Sequence, residues 1–541
     1  MITNTRILLT GLCALTCLFG QEPAISPERI RAHVRFLSGD LLEGRGPGTR
    51  GGDLATEYIA NQFELAGLKP AADAGTFFQP VPLIGIATQA SAQLSASKDD
   101  RALDFKWEQE FVGVNEKLTA EDQFEAEAIF VGHGIVAPEY QWNDFKDVDV
   151  RGKVLVLFTN EPSSNDPKFF GGRALTYYGR WSYKYEEATR KGAVGVIIIH
   201  TTPTAGYSWE VVRNSWSREQ PYVKLVPGQE ALSLAGWVSK DAGEKLVGLA
   251  GHHVDDLLKA SEARDFRPIP LGVRIRCNLP TKVRDISTRN VAGLVEGSDP
   301  KLKSEVVIYS AHWDHLGIGT PVNGDAIYNG AVDNATGCGI LMELARAWAA
   351  QPRKPRRSAL FLAVTAEEGG LRGSEYYAGH PEIPAGKTAL AINYDGLFPF
   401  GRTRDVVVNG AERTTVWPVV EAIARRMELT IHPDPRPEQG AYYRSDHFAF
   451  AHIGVPAFSV EEGDDFIGKP KGFGAKAFED YNAKHYHAPS DEFQESWDFS
   501  GLAEMARFGF LIGTEVANQE RLPSWRAGDE FLPAREKSGV R

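Results

Sequence analysis

Six residues suited to holding metal ions fall at or just after the ends of predicted strands: His312, Asp333, Glu367, Glu368, Asp395 and His487. Imidazole nitrogen and carboxylate oxygen are both zinc donors, at ~2.0–2.2 Å, and two zinc ions can sit ~3.5–4 Å apart around a shared water. Five of the six can serve as ligands, which leaves one member of the Glu367–Glu368 pair as a base. One carboxylate must bridge the two ions. Asp333 is the natural bridge, because Asn334-Ala335-Thr336-Gly337 turns tightly behind it. A set of this kind supports hydrolysis.

These groups need a scaffold that brings strand ends together. Residues 306–310, 359–365, 390–393 and 455–460 are short apolar runs of the kind found in a sheet covered on both faces. Between the first two, Leu341, Leu344, Ala345 and Trp348 repeat at helical spacing over 336–350, with Asp333 and Asn334 as capping candidates. Strands alternating with helices predict an α/β sandwich with a mixed central sheet, in which functional groups gather beyond the strand ends. Upstream, residues 26–68 read as helices around a glycine-rich turn. From about residue 123 to 280 the texture changes to short strands at 128–131, 154–158 and 194–200 with a helix over 183–191. No Gly/Ser-rich linker borders this stretch, so it reads as an inserted, mostly-β domain. The expected organisation is a leader over 1–20, a main domain from 21–122 and 281–522, an insertion over 123–280, and a polar tail over 523–541 whose last residues are mobile.

The chain has 541 residues and a formal net charge of −12. That charge, with no basic stripe, speaks against nucleic acid or an anionic membrane as the main partner. Arg6, the apolar run 7–19 and Gly20-Gln21 suit a secretory signal, and the run is shorter than the ~20 residues of a spanning helix. The mature protein is therefore expected to be exported, periplasmic or secreted, without membrane attachment. Cys13 and Cys17 fall in the leader. Cys277 and Cys338 remain, either as a disulfide or as two buried thiols.

The motifs Ala311-His312-Trp313-Asp314, Asp333-Asn334-Ala335-Thr336-Gly337, Glu367-Glu368-Gly369-Gly370-Leu371-Arg372-Gly373-Ser374, Asn393-Tyr394-Asp395, Ser445-Asp446-His447 and Tyr486-His487 resemble the motif series of the co-catalytic zinc aminopeptidases. That family, metallopeptidase family 28, also holds glutamate carboxypeptidase and glutaminyl cyclase. The inserted stretch is similar to the protease-associated domain of many members, at 134–140 and 149–154, and Gly44-Arg45-Gly46-Pro47-Gly48-Thr49 resembles the family's N-terminal segment. The resemblance implies two Zn2+ ions, one on His312 and Asp395, the other on Glu368 and His487, with Asp333 bridging. It makes Glu367 the general base, Tyr486 a donor to the oxyanion, and Asp314 the residue that orients the His312 ring through its second nitrogen. Residues 317–328 form a longer loop than in simple family members and are expected to narrow the cleft.

Taken singly, an acid at a strand end is more often a turn former or helix cap, and a pair such as Glu367-Glu368 is commonly solvated. Their joint occurrence in family order carries the reading. Ser445-Asp446-His447 cannot form a triad, since three consecutive residues do not face one another, and is read as support for the site or as substrate wall. Residues 173–184 are expected to reach over the cleft as a lid wall, offering Tyr177, Tyr178 or Arg180. The resulting expectation is an exported aminopeptidase acting on peptides through a zinc-activated water. The alternatives are a glutamate-carboxypeptidase-like carboxypeptidase or dipeptidase, for which Arg444, Arg180 and Arg173 are candidate carboxylate receptors, a one-zinc glutaminyl cyclase, and a non-enzymatic receptor on the same scaffold.

Overall fold

The computed structural model describes residues 23–146, 148–166 and 168–540. The expected leader, with Cys13 and Cys17, lies outside the described residues.

Seven strands build the main sheet: β1 (Phe78–Thr88), β2 (Gln220–Val223), β3 (Thr281–Val295), β4 (Val306–His312), β5 (Ser358–Val364), β6 (Thr388–Asn393) and β7 (Ala457–Ser459). Their order is β2-β1-β3-β5-β4-β6-β7, and the two-residue strand Lys69–Pro70 also pairs with β3. β5, β4, β6 and β7 run parallel, whereas β2, β1 and β3 join antiparallel. The sheet is therefore mixed. β4, β5 and β6 are buried along their whole length, as a strand covered on both faces must be.

Six helices matter for the site: α1 (Pro27–Leu37), α2 (Arg50–Leu65), α3 (Trp209–Trp216), α4 (Thr336–Ala350), α5 (Phe473–Lys484) and α6 (Ser500–Asn518). One face of the sheet, with Val307, Tyr309, Ala311 and Phe361, packs on α1, α2, α4 and α6 through Val34, Phe63, Leu341 and Phe508. The other face, with Ile308, Leu360 and Leu362, packs on Tyr377, Phe450 and Trp525. α1 opens on Pro27, with the Ser26 hydroxyl accepting from Arg29 N, a cap that stabilises by about 1 kcal/mol. α4 spans its predicted residues. Its capping group is Asn334, whose Oδ1 accepts from Gly337 N at 2.9 Å; Asp333 is left free to face the site.

A second sheet has eight strands in the order Arg101–Phe105, Gln93–Lys98, Ile269–Asn278, Gln123–Phe130, Val154–Leu157, Gly195–Ile199, Leu234–Val238 and Phe111–Val114. The expected start at residue 123 falls inside this sheet, because three strands before it pair there. Their alternating exposed and buried residues, as in Gln93–Lys98, carry no mark of which sheet they join. The inserted stretch is not wholly separate either. α3 stays with the second layer, but β2 crosses back and pairs with β1, Gln220 opposite Ile86.

The C-terminal tail is a further correction. Leu532–Lys537 is helical, Trp525 and Arg535 are buried, and Trp525 Nε1 donates to Gly454 O at 2.9 Å. The Arg535 guanidinium donates to the carbonyls of Pro523 and Ala385, so the polar sequence hides two anchors. Cys277 and Cys338 are unpaired buried thiols.

Candidate metal centre

Parallel alignment of β4, β5 and β6 puts three loops at one end of the sheet. Register sets His312 opposite Val364 and Ser310 opposite Asn393. The loop after β5 then delivers Glu367 and Glu368, the loop after β6 delivers Asp395, Asp333 arrives just before α4, and His487 follows α5. His312 Nε2 lies 3.1 Å from Asp395 Oδ1 and 3.2 Å from Asp333 Oδ1. His487 Nε2 lies 3.0 Å from Glu368 Oε2 and 3.5 Å from Asp333 Oδ2. Asp333 thus turns one oxygen to each histidine, with Asp395 on one side and Glu368 on the other. One ligand atom each of His312, Asp333 and Glu368 falls within 4.8 Å of the other two. Glu367 Oε2 stands 4.0 Å from His312 Nε2.

The electrostatics fit a cation. Burial opposes charge on both histidines. Even so, Glu368 and Asp333 lift His487 to about 9, and Asp395 and Glu367 hold His312 well above its ordinary value. Burial pushes the Glu367 carboxyl well up, helped by the charges of Asp395 and Glu368. Burial acts the same way on Glu368 and Asp333, but their histidine partners win and both stay well below the usual carboxylate range. Among the described residues the ion pairs of Asp333, Glu367, Glu368 and Asp395 are all with histidine. Four acids and two imidazoles in a buried cleft are a donor set for divalent zinc, whose charge would offset their mutual repulsion.

The surrounding groups hold this set in place. Asp314 meets the second ring nitrogen of His312 through its main chain: His312 Nδ1 donates to the Asp314 carbonyl at 3.1 Å, and the carboxylate is 3.8 Å away. That carboxylate accepts from Glu367 N at 3.2 Å, so it orients the loop after β5. Ser445 does serve as support. Its hydroxyl donates to Asp395 Oδ2 at 2.6 Å and accepts from Asn393 Nδ2 at 2.7 Å, and Ser310 donates to Asn393 Oδ1 at 2.7 Å. Asp446 accepts from Ser374, and His447 packs edge-on to Tyr442. The Tyr486 ring lies 4.0 Å from that of His487, and its hydroxyl accepts from Arg444 at 3.5 Å.

Several contributors were not assigned from sequence. Asp491 accepts from the main-chain N–H groups of Val332 and Asp333 and from Tyr481 Oη. His315 contacts Glu368 Oε1 at 2.5 Å through Nδ1. Ser215 and Asn214, on α3, contact His487. Arg45, in the Gly44–Thr49 motif, is buried and donates to the carbonyls of Leu37, Trp313, Asn329 and Gly330, tying the N-terminal turn to the loops before Asp333 and after His312. Its place in a glycine-rich motif was the only available signal.

Two cavities open on the centre. One, of about 190 Å³, runs past Asp395 between Phe398, Phe478, Glu461 and Asp434. The other, of about 90 Å³, lies on the Glu368 and His487 side under Trp181, Trp216, Arg180 and Arg444. Arg180 therefore reaches the cleft as expected of the 173–184 wall. Tyr177 lines an adjoining outer cavity. Tyr178 turns away and donates to Glu139. The long loop behaves otherwise than expected. It is a hairpin, Gly317–Val322 with Asp325–Tyr328, packed on Gly44 and Gly46, and no residue lining either cavity comes from it.

The family model for peptidase family M28 matches residues 290–508, which carry every one of the six centre residues. Residues 290–508 belong to peptidase family M28. A probable zinc metalloprotease of Pyricularia oryzae is 36% identical over 107 residues, 20% of this chain and 19% of the relative. A probable leucine aminopeptidase 2 of Aspergillus oryzae is 24% identical over 315 residues, 55% of this chain and 58% of the relative. The chain thus spans less than two thirds of either. The solved aminopeptidase from Aneurinibacillus sp. strain AM-1 shares the fold, with a TM-score of 0.53 at 18% identity over 91% of this chain and 93% of that one. The M28 segment supplies β4 to β7, α4, α5 and the centre; α1, α2 and Arg45 brace it from outside the matched residues.

Proposed function

We propose that this chain is an exported zinc aminopeptidase, using two metal ions held by His312, Asp395, Glu368 and His487 with Asp333 between them. The observation that supports this most is the Asp333 carboxylate, with Oδ1 at 3.2 Å from His312 and Oδ2 at 3.5 Å from His487. When bound, zinc polarises a peptide carbonyl and lowers the pKa of water toward neutrality. Glu367, ionised once the cations are present, accepts the proton of the attacking water and returns it to the leaving amine. The Tyr486 hydroxyl, beside Arg444, donates to the oxygen on which charge develops. Acidic groups at the Asp395 end, Asp434 and Glu461 among them, suit the free ammonium of a peptide N-terminus. Export is supported by Arg6 and the apolar run that follows. Among the described residues no helix is long and apolar enough to cross a membrane.

A second reading, a carboxylate-directed dipeptidase, is favoured by Arg180 and Arg444, which line the cavity on the Glu368 side; Arg180 Nε is buried without a hydrogen-bond partner among the described residues. Arg173 is not in that cavity and pairs with Glu438. Metal analysis of the purified chain should find about two zinc ions, and none would undermine the enzyme reading. A panel of aminoacyl and N-blocked peptides with zinc restored should show turnover of free-amine substrates. Hydrolysis of the blocked peptides alone would overturn the aminopeptidase assignment.

A further inference from the structure

We propose that the inserted layer sets the metal affinity of the Glu368–His487 position through Ser215, a positioning residue; the inference rests on the zinc-centre reading above. Ser215 Oγ donates to Val211 O at 2.7 Å along its own helix, which uses its single proton. The 2.7 Å contact between Ser215 Oγ and His487 Nδ1 is then a hydrogen bond in which the ring N–H donates and the hydroxyl accepts. That fixes the tautomer and leaves Nε2 bare toward Glu368 and Asp333, as a ligand requires. The adjacent Asn214 donates from Nδ2 to His487 O at 3.1 Å. His487 has a φ of 53°, a left-handed conformation unusual for a side-chain-bearing residue, and α3 grips both its main chain and its ring.

The two sides of the centre are held differently. His312 Nδ1 is satisfied within its own loop, by Asp314 O. His487 depends on a helix rooted elsewhere: Val212 and Trp216 lie in the core of the inserted layer, and Trp216 packs edge-on to Trp181 and Trp237. Seating of that layer and loading of the Glu368–His487 position are therefore linked, because a ligand that binds one arrangement favours it over the other.

The test is a zinc titration of the full chain, stripped by chelation, against a chromophoric competitor. Wild type should bind two ions. Ser215→Ala should keep the His312–Asp395 position near wild type and weaken the other by ~10- to 100-fold, the usual effect of removing an outer partner of a metal-bound histidine. Ser215→Thr, which keeps the hydroxyl, should restore affinity to within a few-fold. Far-UV circular dichroism and melting of the stripped proteins establish that the alanine variant is folded. Wild-type affinity at both positions in Ser215→Ala, or equal weakening of both, would overturn the proposal. A wild-type chain that takes up no zinc would instead overturn the metal-centre reading beneath it.

Discussion

At the scale of single residues, the two neighbouring glutamates have opposite surroundings. Glu368 faces His487 at 3.0 Å and His315 at 2.5 Å, whereas Glu367 has no such close partner among the described residues and lines both cavities. The proposed ligand and the proposed base are separated by one peptide bond, and the loop after β5 turns them to different neighbours. On the proposed mechanism Glu367→Gln removes the proton acceptor and keeps the shape, so it should retain the metal content of wild type and lose turnover by ~10²- to 10⁴-fold. Metal analysis and rates on one preparation check this, and near-wild-type activity would remove Glu367 from the role of base. The six centre residues were legible in the sequence because each sits in a short local motif of distinctive composition. The contact of Asp314 with His312 Nδ1 was legible too, but not which atom accepts, since the bond can end on the carbonyl or the carboxylate of one residue and the local backbone fold selects the carbonyl.

At the scale of elements, the site depends on how closely α2 approaches the turn Asp40–Arg45. A Cβ on Gly51 would lie 1.7 Å from Leu42 O and 2.5 Å from Leu42 C, both main-chain atoms. Gly51→Ala must therefore push α2 off the turn that carries Arg45, with an expected destabilisation of about 3 kcal/mol. Gly248, at the end of the helix Lys240–Gly248, has nothing within 4 Å of the corresponding point, so Gly248→Ala should hold or slightly raise stability. Denaturant unfolding of the two variants side by side checks the contrast, and equal midpoints would show that the α2 contact is soft. The helical repeat and the glycine-rich turn of this region were both legible from periodicity. The close approach was not, since spacing along the chain carries no distance between elements.

At the scale of the molecule, two layers share one site and a set of buried groups couples folding to pH. Burial between α1 and α2 pushes His33 down to about 4, against an ordinary value near 6.5. The unfolded chain takes up this proton first, so the contribution of neutral His33 is complete above about pH 6.5 and is lost as pH falls toward 4. The size is ~3 kcal/mol. His33→Gln should show a shallower fall in stability between pH 7 and pH 4 than wild type when both are unfolded by urea at each pH. Parallel curves would mean that His33 is protonated in the fold. The second layer was expected from the change in texture near residue 123, but its earlier strands and the return of β2 to the main sheet were not, because short alternating strands pair equally well with either sheet.

What the sequence by itself determined is the chemistry: which residues can bind metal, their order, and the α/β alternation that gathers strand ends. These are local properties, written in residue type and in periods of two and 3.6. The tertiary structure decided the partnerships. Ser215 meets His487 across 272 residues, Asp491 fastens the turn before α4, Arg45 ties three segments together, and the polar tail docks through Trp525 and Arg535. Each is a contact between segments whose separation depends on sheet order and packing, so no pattern along the chain specifies it.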